Sequence, residues 1–347
     1  SSSAYSAQND YNNDMFFFTR QAIIGIIGFI VMFIVSKIDY HLYGAYAKEF
    51  FWLSMFLMAL VQTPLGKTVN GARRWIRLPG GLSLQPAEFT KVAVILFIAY
   101  AICLLGQKAK KWDGIKILLF YGIIAFLGAY KLTDNLSTAV IILLITVVLI
   151  FVVHPKTKPF VTGVIAVGIV GIIGIICLKY TLAESDNFRM RRIIAWLNPE
   201  ANADTDSYQF LQGLYAIGSG GFFGKGLGNS TQKLHAIPEA QNDMILAVIC
   251  EELGVFGAIL ILCLFAFMLY RLLFIARNAP DLYGSLVATG IFAHIALQVT
   301  LNIAVVTGLM PTTGVTLPFI SYGGTAIVIL LAEMGIALGI SSKIRLK

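Results

Sequence analysis

Long apolar runs separated by polar connectors dominate the chain. Nine runs have roughly the length of a membrane crossing, and they cover residues 16–36, 49–64, 90–105, 117–132, 137–153, 160–178, 244–270, 285–309 and 326–342. A helix needs about 20 apolar residues to cross a bilayer, with about 17 as the lower limit. The runs are continuously apolar rather than alternating, which excludes a membrane β-barrel. Helices satisfy their own backbone hydrogen bonds in hydrocarbon, so we predict nine transmembrane helices.

The composition agrees with an all-α polytopic membrane protein. Of 347 residues, 58% are hydrophobic and only 13% are charged, whereas a soluble globular chain is about 25% charged. The four cysteines lie within apolar runs without a CxxC motif, and the four histidines are scattered along the chain. We therefore expect neither a disulfide framework nor a zinc site.

The distribution of basic residues predicts the orientation in the membrane. One set of short connectors and the C-terminal tail carry thirteen of them, namely Lys37, Lys48, Lys108, Lys110, Lys111, Lys116, Lys156, Lys158, Arg271, Arg277, Lys343, Arg345 and Lys347. The opposite connectors carry five, namely Lys67, Arg73, Arg74, Arg77 and Lys131. Basic connectors favour the cytoplasm, so we expect a cytoplasmic C-terminus. Topology then accounts for the net charge of +8, and no nucleic-acid partner is expected.

Nine spans with a cytoplasmic C-terminus would place Ser1 outside the cell. The sequence has no initiator methionine and no signal sequence before that external start, although an external start normally requires one. We therefore expect one further helix upstream of Ser1. Residues 1–347 are expected to form a single membrane domain.

A long segment between two spans, residues 179–243, is predicted to be a structured external loop. Its part Phe188–Leu197 is basic on one face and apolar on the other, which is typical of a helix lying in the membrane interface. A second helical stretch is predicted at residues 207–217. The loop ends at Asp243, directly before the span 244–270. A carboxylate near hydrocarbon is energetically unfavourable, so Asp243 is the first candidate functional residue.

Motifs of soluble enzymes do not occur in the sequence. Gly224-Lys225 is not part of a phosphate-binding P-loop, because Gly226 replaces the required Ser or Thr. The sequence also contains neither a GxSxG nucleophile elbow nor an HExxH zinc motif.

Six polar motifs instead follow one another along the chain. They are Asn70–Ile76 (NGARRWI), Gln85–Lys91 (QPAEFTK), Gly226–Lys233 (GLGNSTQK), Pro238-Glu239 with Asp243, Glu251–Gly254 (EELG) and Pro311–Gly324 (PTTGVTLPFISYGG). With these motifs the chain resembles, over essentially its whole length, the SEDS family of bacterial cell-wall polymerases, which includes FtsW, RodA and SpoVE. The resemblance implies ten spans, in agreement with one further helix before Ser1.

The resemblance implies a peptidoglycan glycosyltransferase that polymerises lipid II at the outer face of the bacterial cytoplasmic membrane. Asp243 would be the general base that takes the proton of the acceptor hydroxyl. Inversion at the anomeric carbon would release polyprenyl pyrophosphate, which cations stabilise. The candidate substrate-binding residues are Arg73, Arg74, Glu88, Lys91, Arg191, Arg192, Lys233, Glu239, Ser321 and Tyr322. A divalent cation, Mg²⁺ or Mn²⁺, could share the task of stabilising pyrophosphate, and no organic cofactor is expected.

Two positions depart from the pattern of the family. The family commonly has His-Thr before the catalytic aspartate, where this chain has Gln241-Asn242. At the entrance of the sixth span, the family commonly has the sequence Pro-Asp-Phe-Gly-Thr. Residues 133–137 of this chain read Thr-Asp-Asn-Leu-Ser instead, so Asp134 is not counted as catalytic. The sequences Gln232-Lys233 and Phe319–Tyr322 (FISY) resemble the division or sporulation type of the family more than the RodA type.

Several candidate residues also have a structural interpretation. Asp243 can be a helix N-cap. Glu88 and Lys91, three residues apart, can form an ion pair inside the bundle. Arg73 and Arg74 can anchor to lipid headgroups. Structural hydrogen bonds are the expected role of four further polar residues within the spans, Glu251, Glu252, His294 and Glu333.

Two other functions remain open, namely a lipid II flippase or transporter and a scaffold for a class B penicillin-binding protein. The motifs concentrate at the predicted external face, which favours surface chemistry over transport, and a scaffold gives Asp243 no role. The expected partners are lipid II, the lipid-linked glycan chain, a class B penicillin-binding protein with transpeptidase activity, and membrane proteins of the divisome or elongasome.

Overall fold

A computed structural model describes residues 15–69, 72–79, 83–181, 188–202, 207–232 and 240–345. These residues contain twelve α-helices and a small sheet. The helices are α1 (Phe16–Lys37), α2 (Tyr40–Ala45), α3 (Ala47–Leu60), α4 (Pro86–Leu105), α5 (Trp112–Leu132), α6 (Leu136–Val153), α7 (Lys158–Thr181), α8 (Phe188–Leu197), α9 (Tyr208–Gly220), α10 (Ile245–Asn278), α11 (Leu282–Val306) and α12 (Thr325–Ser341).

Each of the nine predicted spans coincides with one helix, in order α1, α3, α4, α5, α6, α7, α10, α11 and α12. Within the described ranges, six helices are long and apolar enough to cross a membrane, namely α1, α4 with its 3-10 extension, α5, α6, α10 and α11. The predicted all-α polytopic membrane fold is confirmed. The span expected to end at residue 64 ends at Leu60, because Pro64 has no N–H to donate to the carbonyl of Leu60 and disfavours helical backbone at Thr63.

A small sheet lies between α3 and α4 and was not part of the all-α prediction. Its strands β1 (Gly66–Val69), β2 (Ala72–Arg77) and β3 (Ser83–Leu84) pair antiparallel in that order. Val, Thr, Trp and Ile in these strands favour extended backbone. The sheet positions Arg73 and Arg74 on its central strand.

The chain divides into two compact units. The first unit contains Ser1–Phe18, Lys156–Leu264 and Val299–Tyr322, and the second contains Thr19–Pro155, Phe265–Gln298 and Gly323–Lys347. The prediction that residues 1–347 form a single membrane domain stays a prediction.

Helix α4 forms the buried centre of the second unit, and 15 of its 20 residues are buried. Phe97 on α4 stacks against Phe51 on α3 with ring centroids 4.6 Å apart. A Cβ added at Gly290 on α11 would lie 2.5 Å from Ile95 on α4. Glycine therefore allows these two helices to approach closely, as small residues do in membrane bundles.

Helix α10 is interrupted in the first unit at Gly254, whose backbone is left-handed with φ 69° and ψ −170°. Two N–H groups of the loop 221–226 donate to the carbonyl groups of residues 251 and 252, both at 2.9 Å. Two carbonyl groups of the same loop accept from the N–H groups of residues 255 and 256, at 3.0 and 3.1 Å. The loop thus supplies hydrogen bonds that the helix loses at the break.

Candidate functional site

Asp243 lies in the first unit, in the turn that precedes α10, and its side chain is half-buried. Its Oδ1 accepts a hydrogen bond of 3.4 Å from Nε2 of Gln209 on α9. A bond of that length is weak.

Three consecutive carbonyl groups anchor the backbone at residues 241–243, which we call the anchored segment. The carbonyl of residue 241 accepts from the Tyr322 N–H at 2.9 Å. The carbonyl of residue 242 accepts from the Ser321 hydroxyl at 2.7 Å, and that of residue 243 accepts from the Asn302 side-chain amide at 2.9 Å. The structure thus brings the predicted residues Ser321 and Tyr322 to the candidate base, where they hold its backbone.

The segment 311–322 passes beside the carboxylate of Asp243. Gly314 has a left-handed φ of 72°, and a Cβ added there would lie 4.0 Å from Oδ2 of Asp243. Ser321 accepts from the N–H of Leu317 at 2.8 Å, which closes this segment on itself. Glycine at 314 therefore both permits the turn and keeps side-chain atoms away from the carboxylate.

Helix α8 joins the same segment through its polar side chains. Arg192 donates from Nη1 to the carbonyl of Thr312 at 3.2 Å, and Trp196 donates from Nε1 to the carbonyl of Gly308 at 2.8 Å. Arg191 is exposed on the same helix. The predicted helix Phe188–Leu197 is confirmed in its bounds, and its location in the membrane interface stays a prediction. The predicted residues Lys233 and Glu239 lie outside the described residues.

Glu251 on α10 makes the structural hydrogen bonds expected of it. Its buried carboxylate accepts from Lys225 Nζ at 2.7 Å and from the Ser230 hydroxyl. It also accepts from the Thr231 hydroxyl at 2.9 Å and from two backbone N–H groups at 3.1 and 3.3 Å. These bonds hold the glycine-rich stretch 224–232 against the helix.

The second unit contains a buried network of five polar side chains. Lys91 Nζ lies 2.9 Å from Glu88 Oε2 and donates to Gln298 Oε1 at 2.8 Å. His294 contacts Gln298 Oε1 through Nε2 and both carboxylate oxygens of Glu333 through Nδ1, each at 2.9 Å. The ion pair that the sequence allowed between Glu88 and Lys91 is confirmed. A role of these two residues in substrate binding stays a prediction.

The donors and acceptors of this network determine which of its atoms carry the hydrogen-bonding protons. Lys91 carries only donors, so the Gln298 atom that it contacts is the carbonyl oxygen. His294 Nε2 faces the same oxygen and therefore carries a proton. The network holds two carboxyl groups and two basic groups, and buried charges are tolerated when they are paired and hydrogen-bonded.

Arg73 and Arg74 bind backbone carbonyl groups of the second unit. Arg73 donates to the carbonyls of Gln62 and Thr63 at 3.3 and 3.1 Å, beyond the end of α3. Arg74 donates to the carbonyl of Asp134 at 3.2 Å, between α5 and α6. These bonds tie the small sheet to the helices. Contacts of the two arginines with substrate stay a prediction.

Comparisons with known proteins identify the family. The FtsW/RodA/SpoVE family model, described as a cell cycle protein, matches residues 1–346. The chain is 37% identical over 348 residues to a probable peptidoglycan glycosyltransferase FtsW of Geobacter sp. (strain M18), covering 99% of this chain and 92% of the relative. It is 40% identical over 346 residues to stage V sporulation protein E of Bacillus subtilis (strain 168), covering 98% and 91%.

The chain belongs to the FtsW/RodA/SpoVE family. The resemblance inferred from the six motifs is thereby confirmed. A solved structure described as a peptidoglycan synthase complex that coordinates polymerization and crosslinking matches with a TM-score of 0.79 and 22% identity, covering 99% of this chain and 95% of that chain. The rod shape determining protein RodA of Thermus thermophilus matches with a TM-score of 0.68 and 24% identity, covering 99% and 93%. At these identities the two structures support the fold of this family member.

Two polar residues, Gln298 and Asn302, were not among the functional residues predicted from the sequence of this FtsW/RodA/SpoVE family member. Both lie in the apolar helix α11, and with His294 they recur at intervals of four residues. That spacing places them on one face of the helix. Polar residues on one face of a membrane helix are a detectable sign of a buried hydrogen-bonding role.

Proposed function

We propose that the chain is a peptidoglycan glycosyltransferase that polymerises lipid II, with Asp243 as general base. The observation that carries this proposal is the anchored segment, where three hydrogen-bond donors hold the backbone of a half-buried carboxylate directly before a membrane helix. The name of the Geobacter relative, a probable peptidoglycan glycosyltransferase, supports the same reaction.

The proposed reaction needs one base and a leaving group that can be stabilised. The carboxylate of Asp243 accepts the proton of the acceptor sugar hydroxyl as its oxygen attacks the anomeric carbon of the donor. The anomeric bond to polyprenyl pyrophosphate breaks with inversion, and the leaving group carries the negative charge. Arg191 and Arg192 of α8 are candidates to stabilise that charge, together with Lys233.

A divalent cation, Mg²⁺ or Mn²⁺, fits this chemistry if the substrate supplies most of its ligands. Within the described ranges, no group of three or more His, Cys, Asp and Glu side chains is placed to hold a metal ion. Mg²⁺ commonly binds one or two carboxylates together with substrate phosphates. Asp243 would be the protein ligand closest to the reaction, and the ion would supply charge stabilisation to the pyrophosphate.

The proposed location is the bacterial cytoplasmic membrane, with the C-terminus in the cytoplasm and Asp243 on the outer side. The support is the excess of basic residues on one set of connectors. With this orientation the loop 221–232 would face outward and the connector before α5 would face the cytoplasm.

Cysteine labelling tests this orientation. In a chain whose four cysteines are replaced, Leu227→Cys and Asp113→Cys introduce thiols at exposed positions; Leu227 is 74% exposed and the Asp113 side chain is 92% exposed. We expect an impermeant maleimide to label Leu227→Cys in intact spheroplasts and to label Asp113→Cys only after permeabilisation. The opposite pattern would place Asp243 on the side where wall synthesis does not occur.

The proposed partners are the lipid-linked glycan chain, a class B penicillin-binding protein with transpeptidase activity, and membrane proteins of the divisome or elongasome. Their support is the likeness to a chain from a complex that coordinates polymerization and crosslinking. Crosslinking is the transpeptidase reaction, so the partner of a polymerase would be expected to carry that activity.

Purified protein in detergent tests the proposed reaction directly. With fluorescent lipid II, alone and with a transpeptidase partner, we expect a ladder of glycan strands and one polyprenyl pyrophosphate released per disaccharide added. Detergent micelles have no two sides, so a flippase would leave lipid II intact. Intact lipid II in both samples, from folded protein, would reject the polymerase and favour the transporter or scaffold alternative.

A further inference from the structure

Asn302 uses both N–H donors of its side-chain amide to hold two separate parts of the first unit. The residue lies near the end of α11 and is fully buried. Its Nδ2 donates to the carbonyl of Asp243 at 2.9 Å and to the carbonyl of Val315 at 2.8 Å. A side-chain amide has two N–H donors, so both are engaged.

These two bonds control the space beside the carboxylate of Asp243. One bond holds the residue that bears the carboxylate, and the other holds the neighbour of Gly314. A Cβ at Gly314 would lie only 4.0 Å from Oδ2 of Asp243. A shift of the carbonyl of Asp243 or of Val315 would therefore change the space available to an acceptor hydroxyl beside the carboxylate.

We propose that Asn302 is a positioning residue, which sets the direction of the Asp243 carboxylate without touching substrate. This inference rests on the proposed function of Asp243. Two other donors, Tyr322 and Ser321, hold the carbonyl groups of residues 241 and 242. Loss of Asn302 thus releases the carbonyl of Asp243 itself while the rest of the anchored segment stays attached.

Two substitutions remove the donors in different ways. Asn302→Asp keeps the shape of the side chain but directs carboxyl oxygens at two carbonyl oxygens. Asn302→Leu removes both donors without introducing a charge, so it remains informative if the aspartate variant folds poorly. Thr307→Val is the control at the same end of α11, because it removes an exposed hydroxyl bond, to the carbonyl of Ile303 at 2.7 Å, that does not reach Asp243.

The test is the steady-state kinetics of lipid II polymerisation, normalised to folded protein. We expect both Asn302 variants to lower kcat by about 10- to 100-fold, the scale of a displacement of about 1 Å at a reacting group. KM for lipid II should change little, and the fall in rate at acid pH should persist because the base is still present. Thr307→Val should retain wild-type kcat.

Two results would overturn the proposal. The first is an unchanged kcat per folded protein in both Asn302 variants, which would leave Asn302 only a structural role. The second is a higher KM with unchanged kcat, which would indicate substrate binding. Failure of this inference can be distinguished from failure of the proposed function, because Asp243→Asn would keep wild-type activity only if the proposed function is wrong.

Discussion

Asp243→Asn is expected to lower the rate of lipid II polymerisation at least a hundredfold, which is about the usual scale for loss of a general base. Asparagine has nearly the same shape but cannot accept the proton of the acceptor hydroxyl. The variant should fold normally, because the donors of the anchored segment bind the carbonyl of residue 243 and its two predecessors rather than the carboxylate.

The measurement is the initial rate of glycan formation by purified protein at equal folded concentration. Asp113→Asn is the matched control, since it makes the same chemical change on a side chain that is 92% exposed. The control should retain the wild-type rate. A normal rate and normal strand length in Asp243→Asn would remove Asp243 from the role of base.

The second large effect is expected at the buried network of the second unit. Glu88→Gln and Lys91→Met should each destabilise the protein by about 3–5 kcal/mol, because each leaves one buried charge without its partner. The side chain of Lys91 is 1% exposed and that of Glu88 is 10% exposed, so water cannot replace the lost partner. The double variant should recover part of the stability.

Thermal unfolding of the two single variants and the double variant in detergent forms a double-mutant cycle that measures this coupling. The Asp113–Lys116 pair on α5 is a matched control, because it has the same three-residue spacing but exposed side chains, 92% and 62%. Its coupling should be about 0–1 kcal/mol.

A different outcome would reassign Lys91. If Lys91→Met melts normally but abolishes polymerisation, and the double variant gains nothing, the pair with Glu88 is not structural. Lys91 would then join the catalytic residues as a cation that faces the donor pyrophosphate.

The sequence was sufficient to predict eleven of the twelve described helices, all except the short α2, because each depends on a local pattern. Continuous apolar runs marked the nine spans, and basic residues on one helix face with apolar residues on the other marked Phe188–Leu197 with its observed bounds. The small sheet was missed because its strands have only four, six and two residues. Segments of this length are too short to show a clear periodic pattern.

The surroundings of Asp243 depend on residues that are far apart in the sequence. Asn302 is 59 residues from Asp243, and Ser321 is 79 residues from its acceptor at residue 242. The sequence motifs predicted Ser321 and Tyr322 as substrate-binding residues, and that role stays a prediction. Their bonds to the anchored segment were not predicted and come from the structure. Such pairings follow from the packing of helices and loops, which no local pattern encodes.

The pH dependence of polymerisation tests the role of Asp243 most directly. We expect kcat/KM of the wild-type protein to fall at acid pH as one carboxylate becomes protonated, since a protonated base cannot accept the hydroxyl proton. The residual activity of Asp243→Asn should lack this fall, whereas Asn302→Leu should keep it at a lower rate. An acid fall of the same shape in Asp243→Asn and wild type would contradict the assignment of Asp243 as the base.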